Sequence, residues 1–439
     1  MNWETLLSTQ RYKQETAIND AIDRSAFEKD FDRIVFSTSF RKLQDKTQVI
    51  PFPITDFVHS RLTHSLEVSC VGRSLGKIVG QHILNNNPTL TEKGYDASAI
   101  GSLVAAASLA HDIGNPPFGH SGEDAFRSFF EGEKGLKFKT ELSINQWNDL
   151  IRYEGNANGF RILTNLNQAG GLRLTASTLA AFTKYPTNST PIENPKGHLK
   201  KYGFFDAEKA LFEEVASKVG LKKIEKEYVR HPLAFLMEAA DDICYSIIDF
   251  EDGLRLGLID IKQAYPLFKE LLGESLNIDK LQQINSLEEQ AGLMRALTIN
   301  KLTNEAAEIF IANESEILNG AFNKSLIKCS KSIAIVQEIK RISIEKVYRS
   351  DKVLMIEATG FEVIEGLLDI FISATTDKFN SLRSQKILQL LPIQYLGSNK
   401  KPHTDLYTNL LSVCDFISGL SDSQAISLYR KLKGIEIPN

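Results

Sequence analysis

Apolar residues recur at three- and four-residue spacing along almost the whole chain, a periodicity that admits little besides packed helices. It runs through Leu62–Val79, Ala99–Leu109, Leu172–Phe182, Phe204–Val219 and Pro232–Phe250. It continues through Ile284–Leu318, Leu326–Arg341 and Ile364–Leu382. Only 13 prolines interrupt 439 residues, several of them clustered at Pro51/Pro53, Pro116/Pro117 and between Pro186 and Pro195. Strand-like alternation is short and best at Lys46–Phe52 and Lys352–Ile356. The expectation is an all-α fold, a helical bundle with extra C-terminal helices and at most a minor β-hairpin. No repeat, low-complexity tract or convincing linker divides the chain. It reads as a single large helical domain over 1–439, with a core at about 35–255 and a C-terminal helical part at about 275–439 packing on or beside it. Tyr185–Gly203, rich in Pro, Asn, Thr, Lys and Gly, is loop-like and suited to a mobile flap near a site.

Composition removes several functional classes. With 42% hydrophobic and 24% charged residues the chain is globular rather than disordered. A net charge of −4 argues against a protein whose main work is to coat nucleic acid. The quiet stretch Gly101–Ala110 is too short to span a bilayer, so no membrane partner is expected. The start Met1-Asn2-Trp3-Glu4 lacks the pattern of a signal peptide, and the four cysteines are scattered without CxxC spacing. A cytoplasmic protein with reduced thiols is the expectation.

No GxxxxGK[ST] loop, GxGxxG turn, HExxH or GxSxG elbow is present, so phosphate would have to be handled by metal and basic side chains. The informative segment is His111-Asp112-Ile113-Gly114-Asn115-Pro116-Pro117-Phe118-Gly119-His120. It closes an apolar helix, and adjacent His and Asp most easily reach one ion where a helix is ending. A second helix starts near Ser60 and carries Arg61 and His64 on its first turn. A third sets Asp241 and Asp242 in an apolar run, where a carboxylate is costly unless a cation compensates it. Asp241, Tyr245 and Asp249 share a face, whereas Asp242 points about 100° away and is expected to make a structural contact. His64, His111, Asp112 and Asp241 together form an N/O set for a divalent ion: Mg, Mn, or another transition metal such as Fe, Co, Ni or Zn.

These residues resemble the H…HD…D signature of the HD-domain metal-dependent phosphohydrolases. Longer stretches are similar to the dGTPase branch of that superfamily, the deoxynucleoside triphosphate triphosphohydrolases: 41–49 (RKLQDKTQV), 61–68 (RLTHSLEV), 110–120 (AHDIGNPPFGH), 154–161 (EGNANGFR) and 238–245 (EAADDICY). The resemblance implies cleavage of a dNTP, dGTP among the substrates, at the α-phosphorus to deoxynucleoside and tripolyphosphate. It implies metal ligands at His64, His111, Asp112 and Asp241, and a catalytic His and acid at His120 and Glu123. Substrate contacts would fall on Gln48, Val49, Arg61, Asn156, Lys184, Tyr185, Tyr245 and Asp249. A homo-oligomer, plausibly a hexamer, and a dNTP or single-stranded DNA effector are implied as well. The animal relative of this branch carries Lys directly after the last metal ligand, where this chain has Asp242, so other basic groups must meet the triphosphate.

Residue chemistry alone runs in the same direction. His120 lies just past the Pro-Pro break and can return to the pocket that His111 faces. Ser121 reads as the cap of a helix from Glu123 to Glu131, with Glu123 placed to orient the His120 imidazole as general acid–base or charge stabiliser. Arg61 suits a phosphate contact and Tyr245 a ribose contact. Glu357 and Gly360–Leu368 are candidates for the nucleobase wall. His59 is expected near the site by adjacency alone, His82, His198, His231 and His403 as surface or cap residues, and Lys218–Arg230 and Lys340–Lys352 as solvated helix faces. The competing assignments are an HD-type nucleotide phosphodiesterase or phosphatase, and a nucleotide- or nucleic-acid-binding regulator with a structural metal.

Overall fold

The computed structural model describes residues 1–11, 24–49, 59–164, 172–191, 201–225, 227–397 and 400–436. The helices that bear on the site are α1 (Trp3–Leu6), α2 (Arg61–Asn86), α3 (Ala97–Ala110), α4 (Gly119–Glu131), α5 (Gly155–Thr164) and α6 (Ala176–Phe182). They continue with α7 (Pro232–Arg255), α8 (Leu287–Ala312), α9 (Ile333–Ser343), α10 (Asp351–Thr375), α11 (Leu406–Ser418) and α12 (Asp422–Leu432). Among the described residues the only sheet is a two-stranded antiparallel hairpin, β1 (Lys223–Ile224) and β2 (Glu227–Tyr228), with Lys223 opposite Tyr228. The fold is all-α, as the periodicity requires.

The central contact is between α2 and α3. Gly72, Gly76 and Gly80 recur every fourth residue on one stripe of α2. A β-carbon on Gly72 would lie 2.3 Å from Ser108 Oγ, one on Gly76 2.9 Å from Gly101 Cα, and one on Gly80 3.0 Å from Ile100 Cβ. Rising numbers on α2 meet falling numbers on α3, so the two helices are antiparallel and nearly touch backbone to backbone. That closeness sets the start of α2 beside the end of α3. Helix α7 packs across both, and α8 and α9 pack on α7.

Apolar side chains divide into two clusters. The larger is built on α2, α3, α6, α7 and α8, through residues such as Val68, Val104, Leu179, Ile243 and Phe310. The smaller is built on α4, α10, α11 and α12, through Phe126, Phe130, Ile364, Phe371, Leu410 and Ala425. Helix α10 lies along α4.

Several local expectations fail. Lys352–Ile356 is helix rather than strand, because Val353, Val363, Ile364, Leu367 and Leu368 bury one face of α10 and tertiary packing overrides β-propensity. Lys46–Phe52 yields one bridge, Thr47 to Ser60, with 50–58 outside the described residues. Ile284–Leu318 is divided at Asn313 into α8 and a short helix, Glu314–Asn319. The Ile364–Leu382 periodicity belongs to a helix that starts earlier and stops at Thr375. Within the proposed flap, 192–200 and with them His198 lie outside the described residues.

His231 is a cap, but a fully buried one. Its Nδ1 accepts the Leu233 N–H at the start of α7, and its Nε2–H donates to the Leu6 carbonyl at the end of α1. Burial pushes its pKa down to about 4. Between that value and the ordinary value near 6.5, the unfolded chain takes up a proton that the folded chain refuses. His231 therefore contributes its full stability above about pH 6.5 and loses it as pH falls toward 4. In His231→Asn the cap survives and the titration does not. The stability gap between wild type and variant in urea denaturation is expected to be constant above pH 7 and to narrow by about 2 kcal/mol by pH 5. A gap independent of pH would show that the neutral imidazole has no such role.

Candidate active site

Three helices deliver the groups of a cluster that could hold a metal ion. Ser60 caps α2 by accepting the Thr63 N–H, which fixes His64 on the first turn. His111 is the C-cap of α3, and Asp241 lies mid-way along α7. Nε2 of His64 and Nε2 of His111 each stand 3.4 Å from Asp241 Oδ1, and the three donor atoms lie within 4.8 Å of one another. His111 Nδ1–H donates to the Ser108 carbonyl at 2.7 Å, which fixes the tautomer and leaves Nε2 as the lone-pair donor toward the cluster. His64 Nδ1 is buried with no partner among the described residues. Two buried imidazoles and a half-buried carboxylate fit a divalent ion. Asp112 stands beside this trio, its Oδ1 3.5 Å from His111 Nε2.

Both acids are paired with cations, Arg61 buried and Lys184 half-buried. Arg61 Nη1 donates to Asp112 Oδ2 at 2.9 Å, and Asn115 Nδ2 donates to Oδ1. Lys184 Nζ donates to Asp241 Oδ2 at 3.1 Å. Burial alone would raise the Asp112 carboxyl, but the Arg61 guanidinium and the two imidazoles outweigh it and hold it at about 2. Asp241 is held well below the usual carboxylate range, since Lys184 and the same imidazoles outweigh its burial. Asp242 makes the structural contact expected of it, accepting a hydrogen bond from Ser325 Oγ at 2.9 Å, and burial pushes its carboxyl up to about 6.

Arg61 also lines a neighbouring cleft, whose wall includes Gln48, Val49, His120, Tyr348 and Glu357. Gly119, at φ +59, admits the Arg61 guanidinium where a β-carbon would lie 2.6 Å from Nη2. The helix bearing His120 begins earlier than its sequence suggested. Phe118, left-handed at φ 63, caps it, and Ser121 lies within the first turn. His120 Nδ1 is 2.8 Å from Glu123 Oε2 while its ring is 78% exposed. Glu123 Oε1 accepts the Gly155 N–H at 2.6 Å, so a buried acid anchors an accessible imidazole. Burial would raise Glu123, but the bond to His120, with Lys201 and the Gly155 amide, holds it low.

The other sequence candidates are placed as follows. Tyr245 faces Tyr348, ring centroids 6.0 Å apart, and Tyr348 donates its hydroxyl to Asp249, whose carboxyl is pushed up to about 7 by burial. Asn156 Nδ2 donates to Glu154 Oε1 at 2.6 Å. Tyr185 carries the Lys184 ammonium over its ring at 5.9 Å. Gln48 Oε1 is buried without a partner among the described residues. Gly360 abuts Phe118, and Val363–Leu368 feed the smaller core rather than the cleft. His59 does more than adjoin the site: it bonds Asp252 at 2.8 Å and approaches Glu67 at 3.3 Å.

Two residues that contact these candidates escaped the sequence. Tyr348 ends the π-turn Ile344–Tyr348, and Lys340 Nζ sits 4.7 Å over the Tyr245 ring. Both belong to a charged stretch expected to be solvated. The π-turn, a frequent mark of functional positions, leaves no signature in sequence.

The HD domain family matches residues 61–156, and the phosphohydrolase-associated domain matches 330–431. The chain is 42% identical to a deoxyguanosinetriphosphate triphosphohydrolase-like protein of Synechocystis sp., over 100% of both chains. It is 40% identical to a protein of the same description from Pseudomonas aeruginosa, again over 100% of both. To a deoxyguanosinetriphosphate triphosphohydrolase of Yersinia pseudotuberculosis it is 32% identical over 93% of this chain and 94% of the relative. The fold is that of an HD-domain phosphohydrolase. Within that class the chain belongs to the deoxyguanosinetriphosphate triphosphohydrolase family.

Wild-type protein stripped with chelator is expected to bind Mn(II) in calorimetric titration. Asp241→Asn and His64→Ala are each expected to weaken that binding by at least about 10²-fold. Unaltered affinity in both variants would remove the cluster from the metal site.

Proposed function

We propose that the protein hydrolyses dNTPs, dGTP among them, at the α-phosphorus, releasing deoxynucleoside and intact tripolyphosphate. The observation that carries this is the shared position of Arg61, which lines the cleft and holds Asp112 beside the His64–His111–Asp241 trio. A divalent ion held by those three, with Asp112 as the adjoining ligand, supplies Lewis-acid polarisation of a phosphoryl oxygen and an acidified water.

The chain's own groups do the rest. Arg61 and Lys184 bring positive charge to the phosphates, with Lys201 and Lys340 as the further basic groups in a chain that has Asp242 where the animal relative has Lys. His120, its Nδ1–H committed to Glu123, presents Nε2 as the acid–base at the scissile bond. Tyr245, Tyr348 and Asp249 wall the sugar and leave no room for a 2′-hydroxyl, while Gln48, Val49, Asn156 and Tyr185 complete the nucleotide site.

The same proposal takes 1–439 as one domain, supported by a larger core that draws on segments from Trp3 to Val353. It also takes the protein as a cytoplasmic homo-oligomer, a hexamer, with a dNTP or single-stranded DNA effector. Among the described residues no helix is long and apolar enough to cross a membrane. Exposed Phe379, Leu382 and Ile393 offer apolar surface for self-association.

Anion-exchange analysis of each dNTP incubated with Mg or Mn is expected to show tripolyphosphate and free deoxynucleoside. Pyrophosphate or orthophosphate as the first product would overturn the assignment in favour of another HD chemistry. His120→Ala is expected to lower kcat by about 10²–10⁴-fold, and retention of more than about a tenth of turnover would remove its acid–base role. GTP should turn over far more slowly than dGTP. Equal rates would sink the sugar wall.

A further inference from the structure

The turn between α11 and α12 makes an unusual number of polar contacts with the segment that leads into the cleft. Lys42 Nζ donates to the Gly419 carbonyl at 2.5 Å, and Lys46 Nζ donates to the Ser418 carbonyl at 2.8 Å and the Asn115 carbonyl at 2.6 Å. Ser421 and Ser423 donate their hydroxyls to Asp45. At the centre is Asp422, 1% exposed. Its Oδ2 accepts both the N–H and the hydroxyl of Thr47, at 2.9 and 2.5 Å, and its Oδ1 accepts the Phe118 N–H at 2.9 Å.

Those two amides border the two halves of the site. Thr47 is followed directly by Gln48 and Val49 on the cleft wall. Phe118 is the left-handed cap from which Gly119 and His120 start. A left-handed non-glycine residue is costly and persists where its surroundings fix it, and the carboxylate on its N–H is such a fixture. We propose that Asp422 is a positioning residue: one buried carboxylate, supplied by the C-terminal helices, sets the cleft wall and the His120 helix in register with each other. Asp422 touches neither metal ligands nor the reacting atoms. It acts through Thr47 and Phe118. Its kinetic consequence rests on the triphosphohydrolase proposal above, whereas its structural consequence does not.

The test therefore has two arms, applied to Asp422→Ala, Asp422→Asn and Thr47→Val, each first checked for a cooperative melt. In amide hydrogen exchange, Asp422→Ala should lose protection at Thr47 and Phe118 while core amides of α2 and α3 keep theirs. Asp422→Asn, with a single carboxamide oxygen, should keep protection at one of the two and lose it at the other. In steady-state hydrolysis of dGTP, Asp422→Ala should lower kcat by up to about 10²-fold through misplacement of His120, and should raise KM as well. Thr47→Val, which removes one bond on the cleft side only, should raise KM more than it lowers kcat.

Wild-type protection at both amides in the Asp422 variants overturns the proposal. So does lost protection with unchanged kcat and KM, which would make Asp422 structural only. If Asp422→Ala does not fold, Asp422→Asn and Thr47→Val carry both arms. Should wild type release no tripolyphosphate, the function assignment fails while the exchange arm still decides whether Asp422 holds the two segments.

Discussion

The antiparallel contact between α2 and α3 is the constraint on which the site depends. Glycine at three successive turns of α2 lets the helix axes approach until backbone meets side-chain stub. Close-packed interiors do not deform continuously, so two helices held this near have one register. That register sets His64, at the start of one helix, against His111, at the end of the other. Asp241 then needs only the crossing of α7 to complete the trio. The expensive feature, burial of acids and imidazoles together, is offset locally by Arg61 and Lys184, each paired with a carboxylate rather than left unpaired in the interior.

A division of labour follows from chain connectivity. The groups that could hold a metal stand on elements of the larger core, while His120 and Glu123 stand on α4, whose aromatic face is buried in the smaller core with α10 to α12. The loop His111–Phe118 joins the two in sequence. Arg61 against Gly119, Asp422 on Thr47 and Lys46 on Ser418 join them in space.

Much of this was legible in the residues themselves. Helical periodicity is a local property, so the all-α fold could be read directly, and the buried acids on α7 announced a compensating charge. His64, His111 and Asp241 could be grouped because helix ends and acidic positions in apolar runs are both local signals. Failures came where long-range contacts decide. Lys352–Ile356 carries β-branched residues yet forms part of a helix, with Val353 buried in the larger core and Ile356 against the smaller. Tyr348 and Lys340 sit in a charged stretch whose solvated appearance conceals contacts with Asp249 and Tyr245. The bond from Thr47 to Asp422 spans 375 residues, and no window along the chain reveals it. His231 was legible as a cap but not as an interior group, because its second partner, the Leu6 carbonyl, lies 225 residues away.

The two cores carry a consequence for how damage to this protein would present itself. Stability in a folded chain is not uniform, and cooperative units open independently below the global transition. A lesion confined to the C-terminal helices would loosen α4 and disperse the His120–Glu123 pair, while the glycine-sutured helices and their imidazoles stayed in place. On the proposed function, such a molecule would still titrate as a metalloprotein and still be inert. Metal content is therefore no certificate of competence here, and a preparation judged by it alone would overcount its working molecules.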